Sequence, residues 1–132
     1  MRSRRPERAA FDRAPHTAGL PVATPALTSP DDGTPTSDGT VGASVVTNQG
    51  SGRLYWAVVT DGGAATNAQI IAGTGGNIVA GAAGNQAVGS GGTQTIATIT
   101  GLASATAYQI KFLHVNGDGT QSNQSSVNLT TL

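Results

Sequence analysis

The sequence predicts an all-β domain of short strands joined by tight turns, preceded by a basic arm. Three observations carry this. Runs of β-branched residues alternate with turns rich in Gly, Asn and Asp, the pattern of short strands rather than helices. Charged residues make up 11% of the 132, about half the usual quarter, while Gly, Ala, Thr and Ser abound; that composition excludes a helical bundle or coiled coil. All six prolines lie between Pro6 and Pro35, and proline fixes φ and deletes a donor, biasing that stretch toward extended backbone.

Charge divides the chain at the same place. Arg2, Arg4, Arg5, Arg8 and Arg13 stand against Glu7 and Asp12, so the first thirteen residues carry net +3. The other 119 hold Arg53 and Lys111 against Asp31, Asp32, Asp38, Asp61 and Asp118, net −3. Residues 1–20 therefore read as an extended arm and 21–132 as the folded domain. A segment with no hydrophobic pattern of its own takes a fixed shape only against another surface, because nothing internal offsets the conformational entropy it loses.

Within the domain, Pro21–Thr28 is expected as an edge strand, since its prolines forbid a central position. Further strands are expected at Thr40–Thr47, Arg53–Thr60, Thr93–Thr100, Tyr108–Val115 and about Ser125–Thr131. One helix interrupts them. Thr66-Asn67-Ala68-Gln69 matches a capping box, Ile70 and Ile71 follow, and Gly73 stands where a helix ends in positive φ; this predicts a helix over Asn67–Ala72. Residues 73–92 hold eight glycines and read as a low-complexity loop, with short weak strands at Ile78–Ala80 and Gln86–Val88 at most.

The segment from Thr98 to Phe112 (TITGLASATAYQIKF) resembles the junction of strands E and F in fibronectin type III domains. The resemblance covers roughly residues 21–131 and is specific over 98–119. It implies a fibronectin III/immunoglobulin-like β-sandwich in which Tyr108 forms a tyrosine corner, its hydroxyl bonding backbone a few residues upstream. Ile99 is then the apolar residue of strand E, Leu102 plugs the bottom of the sandwich, and Ile110 and Phe112 point inward by strand alternation. Trp56 departs from the fibronectin pattern: it falls on the third strand, closer to the immunoglobulin arrangement. The combination of GRLYWAVVT, ATNAQIIAG and TITGLASATAYQIKF is also similar to small fibronectin-like domains in structural proteins of tailed bacteriophages and gene-transfer particles.

Motifs for chemistry are sparse. His16 lies in the arm, and His114, at the end of a strand, is expected to be a packed or capping residue. The sequence has no Cys, no nucleophile elbow, no phosphate loop and no zinc-protease helix, so no catalytic residue, metal ligand or cofactor is expected. Asp31-Asp32-Gly33 and Asp61-Gly62-Gly63 lack the ligand spacing of a calcium loop and read as turns. No apolar run of about 18 residues predicts a membrane span, and the start lacks the apolar stretch of a secretory signal.

The arm carries the functional expectation. Arg2, Arg4, Arg5, Arg8, Phe11 and Arg13 suit acidic patches on a protein shell, because Arg bonds carboxylates bidentately. Nucleic acid is the weaker reading, since no aromatic lies among the first ten residues and the rest of the chain is acidic. Leu113 and Val115, expected to face outward beside Lys111, offer a further subunit contact. The resemblance implies a capsid decoration (cement) protein on the virion surface, with the major capsid protein, other virion subunits or a second copy as partner. A tail or fibre accessory domain is the alternative. A glycan-binding adhesive module is another, for which Tyr55 and Phe11 are the only aromatics expected to be free.

Overall fold

The structure, a computed structural model, describes residues 23–132. The arm positions Arg2, Arg4, Arg5, Arg8, Phe11 and Arg13 lie outside the described residues, as does the start of the strand expected from Pro21. The strands are β1 (Leu27–Asp31), β2 (Thr34–Pro35), β3 (Thr40–Val41), β4 (Ser44–Thr47), β5 (Arg53–Thr60), β6 (Ile78–Ala87), β7 (Gly92–Thr95), β8 (Ala107–Val115) and β9 (Ser125–Thr130). Among the described residues one helix, α1 (Asn67–Ala72), sits between β5 and β6.

These elements form an all-β sandwich. One sheet has the order β1-β4-β7, the other β6-β5-β8-β9, and β2 and β3 make a separate hairpin. All pairings are antiparallel. The core lies between the two sheets: Leu27, Val45 and Ile96 from one side meet Leu54, Trp56, Val58, Ile110, Phe112 and Leu129 from the other. Each fully buried aliphatic or aromatic side chain contributes about 1.5–3 kcal/mol by leaving water.

Local chemistry sets the element ends. Gly42, at φ 79°, bends the chain out of a single strand, so the stretch expected as Thr40–Thr47 divides into β3 and β4, which pair with different partners. A bulge falls between Thr28 and Asp31, with Ser29 at φ 48° just before Pro30. Pro30 is thus accommodated on an edge strand, where its missing donor costs no ladder bond. The stretch expected as Thr93–Thr100 is regular only over β7, which pairs with β4, and then meets β3 through a lone bridge between Ile99 and Thr40.

The corner expected at Tyr108 is present. Its hydroxyl accepts a hydrogen bond from the Ala103 amide at 3.0 Å, and its ring is buried over the same core as Ile99 and Leu102. The helix also forms as its caps dictate. The Thr66 hydroxyl accepts from the Gln69 amide (3.1 Å), the Gln69 side chain accepts from the Thr66 amide (3.0 Å), and Gly73 ends the helix at φ 74°.

The glycine-rich segment departs from its reading as a loop. Residues 78–87 form a continuous ten-residue strand at the edge of the larger sheet, paired with β5. Gly84 stands directly across from Trp56. A Cβ there would lie 2.5 Å from the Trp56 ring, so the glycine makes room for the indole. Between the pairs Ala57–Ala83 and Val59–Ile78 the strand bulges, with Gly81 at φ 81° inside it. Gly84→Ala is therefore expected to cost about 1–3 kcal/mol by overpacking. Gly89→Ala, where an added Cβ meets nothing within 4 Å, should stay within about 1 kcal/mol of the parent. Urea unfolding midpoints of the two variants check this contrast.

Candidate functional site

The face of the larger sheet turned away from the other sheet is covered by α1. Ile70 is buried there against Ala57 of β5 and Leu113 of β8, with Tyr55, Ile71 and Val115 half-buried around them. This corrects two expectations. Leu113 is fully buried and Val115 is half-buried, so neither is a free contact residue, because the short helix already occupies that face. Tyr55 is likewise not free. Among the described residues no aromatic ring is exposed, since Trp56, Tyr108 and Phe112 belong to the core.

Two shallow clefts of about 200 Å3 flank β6. One is lined by Ile70, Ile71, Gly73 and Ala83; the other by Trp56, Gly81, Thr98 and Thr100. Neither brings titratable side chains together. Among the described residues no group of three or more His, Asp or Glu is placed to hold a metal. The aspartates act in turns: the Gly33 amide donates to Asp31 Oδ1 at 2.7 Å, and the Gly63 amide donates to the Thr60 carbonyl at 2.8 Å across Asp61. Among the described residues no helix is long and apolar enough to cross a membrane.

The densest polar cluster sits at one end of the sandwich, where the connections 48–52 and 116–124 meet the first described residues. There Ala23, three positions after the arm, is held by side chains. Its carbonyl accepts from Gln49 Nε2 at 2.5 Å and from Asn116 Nδ2 at 3.4 Å. The Ala26 amide donates to Asn48 Oδ1 (2.8 Å) and the Leu27 amide to Asn123 Oδ1 (2.9 Å). Asn123 Nδ2 returns a bond to the Leu27 carbonyl at 3.1 Å. Carboxamides suit this task because each carries both donors and acceptors, so one side chain can grip a strand's N–H and C=O together.

Two buried residues brace the cluster from below. Asn116 is 4% exposed, and its carboxamide also donates to Gln49 Oε1 (3.1 Å) while accepting from the amides of Asp118 (3.1 Å) and Thr120 (2.9 Å). Its two donors and both acceptor lone pairs are all engaged. His114 is fully buried, as a packed residue should be, and bonds through both nitrogens. Nε2 lies 2.6 Å from the Ser51 carbonyl, which can only accept, so Nε2 carries the proton. Nδ1 then accepts from the Thr47 hydroxyl at 2.6 Å. With both nitrogens committed, His114 ties β4, the 48–52 connection and β8 together.

The charges are arranged around this end unevenly. β1 runs from the cluster at Leu27 to Asp31 at the far end, and β5 runs from Arg53 beside the cluster to Thr60. Asp31, Asp32 and Asp38, with Asp61, thus sit at the opposite end of the sandwich; only Asp118 is near the arm's root. Nothing in the sequence assigns Gln49, Asn116 or Asn123 a role in holding residues 23–27. The one signal available was Asn116-Gly117, which announces a turn and says nothing of a buried carboxamide reaching across 93 positions to Ala23.

Thr47→Val keeps the shape of the buried side chain and removes the donor to His114 Nδ1. It is expected to cost about 1–3 kcal/mol, the penalty for an unsatisfied buried acceptor. Thr47→Ser, which keeps the hydroxyl, should cost less; thermal unfolding of both variants tests the order. Comparison with family models, with curated proteins and with solved structures finds no match in any of the three.

Proposed function

We propose that this chain is a non-enzymatic structural module of a bacteriophage-type particle, a capsid decoration protein whose N-terminal arm binds neighbouring shell subunits while the sandwich lies on the virion surface. The observation that carries this reading is the anchored root of the arm. Ala23, three positions after the arm, is fixed by Gln49 and Asn116 at one end of the domain. Most of the domain's own carboxylates stand at the other end, which leaves the net +3 arm to find acidic groups on a partner. The likeness to phage fibronectin-like domains is supported by the corner at Tyr108 and by the division of strands between the two sheets.

Such an arm works by repetition. A few exposed Arg–carboxylate pairs are worth about 0–1 kcal/mol each, yet many copies on one lattice act together. Binding only the assembled shell then stabilises it by mass action. A glycan-binding role is less favoured, because no exposed aromatic platform exists among the described residues.

Deleting residues 1–20 is expected to abolish co-sedimentation with assembled shells while leaving the circular dichroism of the sandwich unchanged. Replacing Arg2, Arg4, Arg5, Arg8 and Arg13 by Gln should give the same loss, and raised salt should weaken the parent's binding. Undiminished binding by either variant would overturn the reading.

A further inference from the structure

We propose that Asn116 is a deamidation site that the native fold keeps closed, and that its conversion releases the root of the arm. Asn116-Gly117 is the only Asn-Gly pair in the chain. In that pair the glycine nitrogen can attack the asparagine side-chain carbon without hindrance from a following side chain. The new N–C bond forms as the carboxamide C–N bond breaks, and the displaced nitrogen leaves as ammonia, taking up the glycine amide proton. Water then opens the cyclic imide to aspartate or isoaspartate. Water is the only co-reactant and nothing is oxidised.

The fold blocks each requirement of this reaction. The attacking nitrogen has its N–H engaged by Ser51 Oγ at 3.0 Å. The target carboxamide is buried and held by Gln49, Ala23, Asp118 and Thr120. The hairpin around it is closed by the Asn116 amide on the Thr120 carbonyl and the Gly119 amide on the Asn116 carbonyl, both 3.0 Å. Reaction therefore requires local opening of the β8–β9 connection, and the rate follows the open population.

The product does not fit the closed state. A carboxylate has no hydrogens to give, so an oxygen in place of Nδ2 would face two acceptors, Gln49 Oε1 and the Ala23 carbonyl. If the Gln49 amide turns to donate to the carboxylate, its nitrogen leaves Ala23; either way Ala23 loses a partner, and a charge is buried. Isoaspartate adds a methylene to the main chain inside the hairpin. Deamidation is thus a one-way conversion that loosens the arm root at Ala23, where one of its two side-chain partners is lost. This stands independently of the shell-binding reading.

The test uses the full chain incubated at 37 °C in buffer and in urea at the same pH, followed by trypsin digestion and mass spectrometry. Cleavage after Lys111 places Asn116, Asn123 and Asn128 in one fragment, so the other two serve as internal references. The one-dalton gain at Asn116 is expected about tenfold or more faster in urea than in buffer, ahead of Asn123 and Asn128. Ser51→Ala should speed it in buffer. Equal rates in the two conditions, or earlier conversion at Asn123 or Asn128, would overturn the gating. For the consequence, Asn116→Asp should accelerate hydrogen exchange at the Ala26 amide while β5 amides keep their protection. Unchanged exchange at Ala26 would overturn the release.

Discussion

Strand β5 is buried on both of its faces, and most of the fold is the arrangement needed to cover it. Leu54, Trp56 and Val58 point into the sandwich, while Ala57 points the other way, under Ile70 of α1. An antiparallel sheet usually leaves one face to water; here a six-residue helix closes it. A helix that short is not stable alone, since nucleation is costly and few bonds follow. Its capping box and its Ile70 contact with β5 and β8 therefore depend on each other. The same strand explains Gly84 of β6, because Trp56 on β5 spreads its indole where a side chain at position 84 would stand.

How far these features are legible in the sequence follows from the range of the interactions that specify them. Arg53–Thr60, the helix Asn67–Ala72 and the corner at Tyr108 are written in local signals: β-branched runs, a capping box, a Gly-Leu ahead of a tyrosine. All three stand in the structure as read. β6 is not legible, because Gly84 answers to a tryptophan nearly thirty positions away and Gly81 to a bulge inside the strand, not to a loop. Leu113 was misread for a related reason: alternation places it correctly on the outer face, but only the tertiary position of α1 turns that face into a second, smaller core. Val41 and Ser44 lie in one apparent strand until Gly42, at positive φ, divides it between two pairings.

The polar end of the sandwich shows a comparable dependence on distant partners. The carboxamides of Asn48, Gln49, Asn116 and Asn123 hold residues 23–27, together with a backbone bond from the Asn48 amide to the Ala26 carbonyl at 3.3 Å. Before β1 begins at Leu27, side-chain bonds thus supply most of the grip. Beneath them, the fixed tautomer of His114 joins the two sheets through Thr47 and Ser51.

Residue-resolved native-state hydrogen exchange across a range of low denaturant addresses the two-sided burial of β5 most directly. The amides of Leu54, Trp56 and Val58 and those of their β8 partners should exchange only through global unfolding, converging on one common free energy. Exchange of these amides through local opening, while the β1-β4-β7 sheet keeps its protection, would contradict the view that β5 holds the domain together.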